Sequence, residues 1–291
     1  MKVLVLGASG QIGYSLFQQI SCLNVECIGT YSSYTDPDLM YLNITDYHTV
    51  QQYIKDFEPN IVFLPACVTN VDQCESQPDF TSSVNVLAVK NIVDTMTNIH
   101  TKLIYFSTDF VFDGNEGFYD ENSQPNPINE YGRQKFCAEQ YIVEHLKNYA
   151  IIRTSSVYGA EQQKKNFICR LLTGLQQNKV VTIPKDEQCT PSYNEDVADY
   201  AIHIAFNDDV GVYHAAGPHC INRYKFALET ARIFDLDTNL IKPIISSDLT
   251  RPAKRPLNAG LSTIKHGYPP MKDWKNGLKE MKYLIKREEV L

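Results

Sequence analysis

The first thirteen residues constrain the fold more than any other part of this chain. Val3-Leu4-Val5-Leu6 is an unbroken apolar run, the pattern of a strand buried on both faces. Gly7, Gly10 and Gly13 follow at once, and Tyr14 to Cys22 has helical character. Strand, glycine turn and helix in that order are the context in which a dinucleotide is held. Gly7 permits the tight turn, Gly10 lets the backbone approach a pyrophosphate, and Gly13 lets helix and strand pack closely. The helix N-terminus turns unpaired N–H groups and partial positive charge toward the phosphates. Gln11 and Ile12 therefore join the three glycines as candidate cofactor residues.

The rest of the first half alternates strand and helix. Val25 to Thr30 reads as the second strand. A carboxylate near its end would hold the ribose hydroxyls of NAD, yet Thr30-Tyr31-Ser32-Ser33 offers only hydroxyls before Asp36. Lys and Arg are absent between Lys2 and Lys55, so Thr30 and Ser32 are the candidates here. The lean is mildly toward NADPH, with NADH open. Leu42 to Asp46 is expected to be a short strand running into a helix capped by Asp46, with Asn43 and Ile44 near the cofactor. Pro59 to Leu64 gives the next strand, and Ala66 and Thr69 follow it as further cofactor candidates. Asp79 to Asn98 carries apolar residues at helical spacing, including Val84, Leu87, Ala88, Ile92 and Met96.

Lys102-Leu-Ile-Tyr-Phe-Ser107-Thr108 is another buried-strand run, ending at two hydroxyls. A helix over Asn129 to Leu146 follows, then a strand over Ala150 to Thr154. This order predicts an α/β fold with a doubly wound parallel sheet, Rossmann-like. After Gly159 the elements shorten and prolines punctuate them, although Asn194 to Phe206 reads as a helix. Gly211 to Ala216 reads as a strand that returns to the main sheet. Residues 1–157 are thus expected to form a dinucleotide-binding domain, rejoined by parts of 180–218. Residues 158–291 would form a smaller, discontinuous lobe for substrate.

The chemistry is expected at the carboxyl end of the Ser107 strand, where open α/β sheets present their sites. Tyr131 and Lys135 stand four apart, so a helix places them on one face. A phenol beside an ammonium is a proton donor whose pKa the positive charge lowers. Thr108 would hydrogen-bond a substrate carbonyl. Thr108, Tyr131 and Lys135 are the candidate catalytic set, and Ser107, Tyr131 and Lys135 also fall to the cofactor.

Composition excludes several other classes. The net charge of −7 argues against a broad nucleic-acid surface. No apolar run approaches a membrane span, and the N-terminus turns glycine-rich too soon for a signal peptide. Eight cysteines without a C-x-x-C pair read as reduced thiols of a cytoplasmic protein, and no metal site is expected.

These residues resemble the extended short-chain dehydrogenase/reductases, and within them the dTDP-4-dehydrorhamnose reductases. The resemblance spans nearly the whole chain. It rests on Gly7-x-x-Gly10-x-x-Gly13, the stretch Ser107-Thr-Asp-Phe-Val-Phe-Asp-Gly114, and Tyr131-Gly132-x-x-Lys135. Arg153-Thr-Ser-Ser-Val-Tyr-Gly159, Asn166-Phe167, Thr190-Pro191, Arg251-Pro252 and Trp274-x-x-Gly277-Leu278 follow in the family's order. The resemblance implies NADPH- or NADH-dependent reduction at C4 of a nucleotide-linked 4-keto-6-deoxy sugar, as in dTDP-rhamnose and polysaccharide biosynthesis. Thr108, Phe110, Asn166 and Arg251 become the candidate substrate contacts, and a homodimer is left open. The chain departs from the family at Ser156, where a Trp usually lines the sugar pocket, at Pro65, and at Lys254-Arg255 and Leu257-Asn258. The regulatory subunit of methionine adenosyltransferase shares many of the same landmarks, so a non-catalytic, cofactor-binding role is the alternative.

Overall fold

The computed structural model describes residues 1–97, 100–207 and 209–288. The first half runs β1 (Lys2–Val5), α1 (Gln11–Ser21), β2 (Glu26–Tyr31), β3 (Met40–Tyr41), α2 (Tyr47–Phe57) and β4 (Ile61–Leu64). It continues with α3 (Val71–Ser76), α4 (Pro78–Ser82), α5 (Ala88–Met96), β5 (Lys102–Thr108), α6 (Glu130–His145) and β6 (Tyr149–Thr154). Then come β7 (Val157–Tyr158), α7 (Phe167–Gln176), β8 (Val181–Pro184), β9 (Gln188–Cys189), β10 (Ser192–Tyr193) and α8 (Asn194–Phe206). The chain closes with β11 (Gly211–His214), β12 (Ile221–Asn222), α9 (Arg223–Ile233), β13 (Ile241–Ile244) and α10 (Trp274–Glu288).

Seven parallel strands make the main sheet, in the order β11-β6-β5-β4-β1-β2-β3. Because side chains alternate along a strand, each one feeds two cores. Val3 and Val5 join Ile104 and Phe106 beneath α1 and α8, whereas Leu4, Val62, Leu103 and Tyr105 face α2, α5 and α6. Burial on both faces is why these strands read as continuous apolar runs. The returning strand is present: β11 pairs with β6 from Gly211↔Ala150 to His214↔Arg153. The two-stranded pairs β7–β10, β9–β12 and β8–β13 belong to the second half, with separate apolar clusters around Phe226 and Trp274 and around Leu171 and Ile241.

Several boundaries differ from the sequence reading, for local reasons. The first helix starts at Gln11, three residues before the expected Tyr14, and takes Gly13 into its first turn although glycine is a weak helix former. The strand expected over Leu42–Asp46 is instead Met40–Tyr41. Leu42 makes the last bond to β2, its N–H donating to Tyr31 O at 2.8 Å, and the chain then leaves the edge. Asp46 does cap α2, accepting from Thr49 N–H at 3.2 Å. The helical stretch from Asp79 is interrupted by a π turn over Ser83–Leu87, and Asn98 lies outside the described residues. That bulge turns Asn85 fully inward, where it holds both the N–H and the C=O of Val68 and bonds Gln134 of α6. The catalytic-helix expectation fits: Asn129 caps α6, accepting from Gly132 N–H, and Leu146 lies just past its end.

Candidate active site

The three side chains chosen for chemistry converge. β5 delivers Thr108 at its carboxyl end, and α6 lays Tyr131 and Lys135 over it, 9% and 2% exposed. The Thr108 hydroxyl accepts from Phe110 N–H at 3.2 Å and donates to Asp109 at 3.0 Å. The Tyr131 phenol lies close enough for the Thr108 hydroxyl to oppose the rise in its pKa. Phe110 meets the Tyr131 ring edge-on, with centroids 6.1 Å apart. Lys135 Nζ stands 4.1 Å from the centre of the buried Tyr105 ring. Among the described residues, no carboxylate lies within 4.0 Å of that ammonium.

One electrostatic expectation is reversed. Lys135 was to pull the Tyr131 pKa down, but burial pushes the phenol well above its ordinary value, with Cys67, Asp109 and Cys74 adding to the rise and Thr108 opposing it. A phenolate stripped of water loses more than a neighbouring ammonium returns. Burial likewise lowers the Lys135 pKa, against Cys67, Glu139 and Cys74. Asp109, buried and accepting from Thr108 and from Ser155 at 2.7 Å, is raised to about 6 by desolvation. The sequence offered no reason to place Cys67 or Asp109 beside the tyrosine; only the fold of the loop after β4 and the turn after β5 does so.

The glycine turn adjoins this site. Gly7 has φ +96°, and a Cβ there would stand 2.8 Å from that of Ala66, the residue that closes the turn from the end of β4. A Cβ on Gly13 would lie 2.1 Å from Gly7 O, so helix and turn touch backbone to backbone. A Cβ on Gly10 would meet only Gly7 O, at 3.4 Å. Among the described residues, no side chain caps α1, and the amide Nε2 of Gln11 and the hydroxyls of Ser107 and Tyr105 are buried without partners. The orphan amide of Gln11, at an uncapped helix start beside the glycine turn, fits a dinucleotide phosphate. A feature absent from the sequence reading crosses this turn: Gln163 donates to Ser9 O at 2.6 Å, bringing the 160–165 loop over it.

Other candidates disperse. Thr30 is 1% exposed, and its hydroxyl accepts from Gly7 N–H and donates to Val5 O. It braces the turn rather than facing a ribose, a correction that leaves Ser32, exposed at the end of β2, as the nearby hydroxyl. Asn43 is exposed, its Oδ1 accepting from the N–H and hydroxyl of Thr45, and the Ile44 side chain is core. Thr69 is exposed on the loop after β4. Asn166 is a helix cap: it accepts from Cys169 N–H at 3.0 Å and donates to Gly159 O, so its amide is already committed. Arg251 is paired with Glu187 at 2.6 Å.

The second lobe adds a cation the sequence did not flag. Arg223, at the start of α9, lies 4.1 Å over the Phe167 ring, and no carboxylate is within 4.0 Å of it among the described residues. Burial lowers its pKa against the pull of Glu187, while Arg170 and Arg251 stand near enough to repel it. Arg251 is paired with Glu187, and the charges of Arg170 and Arg251 both reach Arg223. Ser156 sits exposed at φ +45° beside the Cys189 thiol, a small side chain at the rim.

A parallel sheet that ends in a glycine turn, with Thr108, Tyr131 and Lys135 at its carboxyl edge, defines an extended short-chain dehydrogenase/reductase fold. The family model described as the RmlD substrate binding domain matches residues 1–286, and the chain belongs to that family. A dTDP-4-dehydrorhamnose reductase from Aggregatibacter actinomycetemcomitans is 30% identical, over 97% of this chain and 98% of that protein. Methionine adenosyltransferase 2 subunit beta from Xenopus tropicalis is also 30% identical, over 91% of this chain and 81% of that protein. The solved dTDP-4-dehydrorhamnose reductase of Bacillus anthracis in complex with NADP superposes with a TM-score of 0.85 at 27% identity, covering 98% and 99% of the two chains. No helix among the described residues is long and apolar enough to cross a membrane.

Proposed function

We propose that this protein reduces the C4 ketone of a nucleotide-linked 4-keto-6-deoxy sugar, with dTDP-4-dehydrorhamnose, giving dTDP-rhamnose, as the leading substrate and NADPH as the leading reductant. The observation that carries this reading is the meeting of Thr108, Tyr131 and Lys135 beside the glycine turn. The reductase relatives and the NADP complex of one of them support it.

Gly7, Gly10, Gly13 and the start of α1 would hold the pyrophosphate, with Ser32 near the ribose and Ser107 and Lys135 toward the nicotinamide. When bound, the cofactor supplies the hydride that reaches C4. Tyr131 delivers the proton to the ketone oxygen, and burial keeps the phenol protonated beforehand. As the proton leaves, the Lys135 charge and the Thr108 hydroxyl stabilise the phenolate. Arg223 and Arg251 would face the nucleotide diphosphate.

The kinship with methionine adenosyltransferase 2 subunit beta favours a second reading, a cofactor-binding subunit without turnover. NADPH oxidation against a panel of dTDP-, UDP- and GDP-linked 4-keto-6-deoxy sugars separates the two. Turnover on one of them supports the reductase, and none on any, with NADPH still bound, supports the subunit.

A further inference from the structure

The N-terminus of α6 is held from three sides. Asn129 is fully buried and uses both ends of its amide: Oδ1 accepts from Gly132 N–H at 2.9 Å, and Nδ2 donates to Lys254 O at 3.0 Å. The first bond is an ordinary helix cap. The second reaches 125 residues along the chain to a strap, residues 251–258, that belongs to the second lobe. α3 locks strap and helix together. Asp72 accepts from Ala253 N–H at 3.2 Å and pairs with Arg255 at 2.8 Å, while Glu75 accepts from Glu130 N–H at 2.9 Å. The far end of the strap is Arg251, paired with Glu187.

We infer that Asn129 is a positioning residue that fastens the substrate-lobe strap to the first turn of α6 and so sets where the Tyr131 phenol stands. The inference rests on the reading of α6 as the catalytic helix. A cap alone needs only the oxygen of Asn129; the buried donor aimed at Lys254 O has no part in capping. Tyr131 lies two residues from this joint, and a displacement of about 1 Å at a reacting group costs on the order of a hundredfold in rate.

Two measurements on the full chain test this. Asn129→Ser and Asn129→Thr each keep an oxygen that caps Gly132 and remove the arm to Lys254. Each should lower kcat about ten- to a hundredfold while leaving the KM for NADPH within about twofold. A parent-like kcat, or a loss confined to thermal stability, would overturn the inference. Independently of any substrate, Arg255→Gln loosens the strap. Hydrogen exchange at amides 131–134 should then quicken about tenfold, with amides 138–142 unchanged. No change, or equal acceleration along all of α6, overturns it. Should the parent reduce none of the sugars, the reductase reading fails, while the exchange experiment still decides the joint.

Discussion

Replacing Glu139 by Gln tests what anchors α6 to the sheet. Glu139 sits one turn beyond Lys135 and is paired with Arg153 of β6 through two bonds, Nε to Oε1 at 3.0 Å and Nη2 to Oε2 at 2.6 Å. Their side chains are 3% and 5% exposed. Arg153 is in register with Ser107, so the pair pins α6 to β6, the strand beside the one that carries Thr108. The substitution preserves shape and removes one charge, leaving a guanidinium with nowhere to go. Breaking a buried pair from one side costs about 3–5 kcal/mol, a large part of the roughly 5–15 kcal/mol that keeps a domain folded. Urea unfolding at pH 7 should show that loss, and the melting temperature should fall by about 10 °C. Arg153→Met on the same background removes the stranded charge, so the double variant should be no less stable than Glu139→Gln alone. A single-variant loss under about 1 kcal/mol, or simple additivity of the two changes, would refute the argument.

Tyr131→Phe should bind NADPH as the parent does and lose about 100- to 10,000-fold in kcat; turnover within a few-fold of the parent would remove Tyr131 from the mechanism. With hydroxyls rather than a carboxylate after β2, kcat/KM should favour NADPH over NADH by about tenfold, or ~1.4 kcal/mol, and Ser32→Asp should reverse the order by repelling the 2′-phosphate. A strong native preference for NADH would contradict this. The folded-state pKa of Asp109 is raised above its unfolded value to about 6, so its contribution is fully present below pH 4 and is lost as pH rises through 6. Relative to Asp109→Asn, the parent should therefore lose about 3 kcal/mol between pH 4 and 7, and parallel pH profiles of the two proteins would show that the carboxylate is not desolvated.

The order of elements, the glycine turn and the Thr108, Tyr131 and Lys135 set were legible in the sequence, because each depends on spacing within a few residues. Apolar runs declare strands buried on both faces, a four-residue step declares a shared helix face, and Asp46 before a helical run declares a cap. What escaped depends on where a side chain spends its hydrogen bonds, which local spacing does not encode. Thr30 looked like a ribose contact until its hydroxyl was found bracing Gly7, and Asn166 looked like a substrate contact until it proved to cap α7. The reversal of the Tyr131 shift has the same origin, since proximity to Lys135 was readable but burial was not. Glu139 meeting Arg153, Arg223 gathering near Arg170 and Arg251, and Asn129 reaching Lys254 all join residues from distant parts of the chain. Only tertiary packing brings such partners together and excludes the water that would otherwise make their charges cheap.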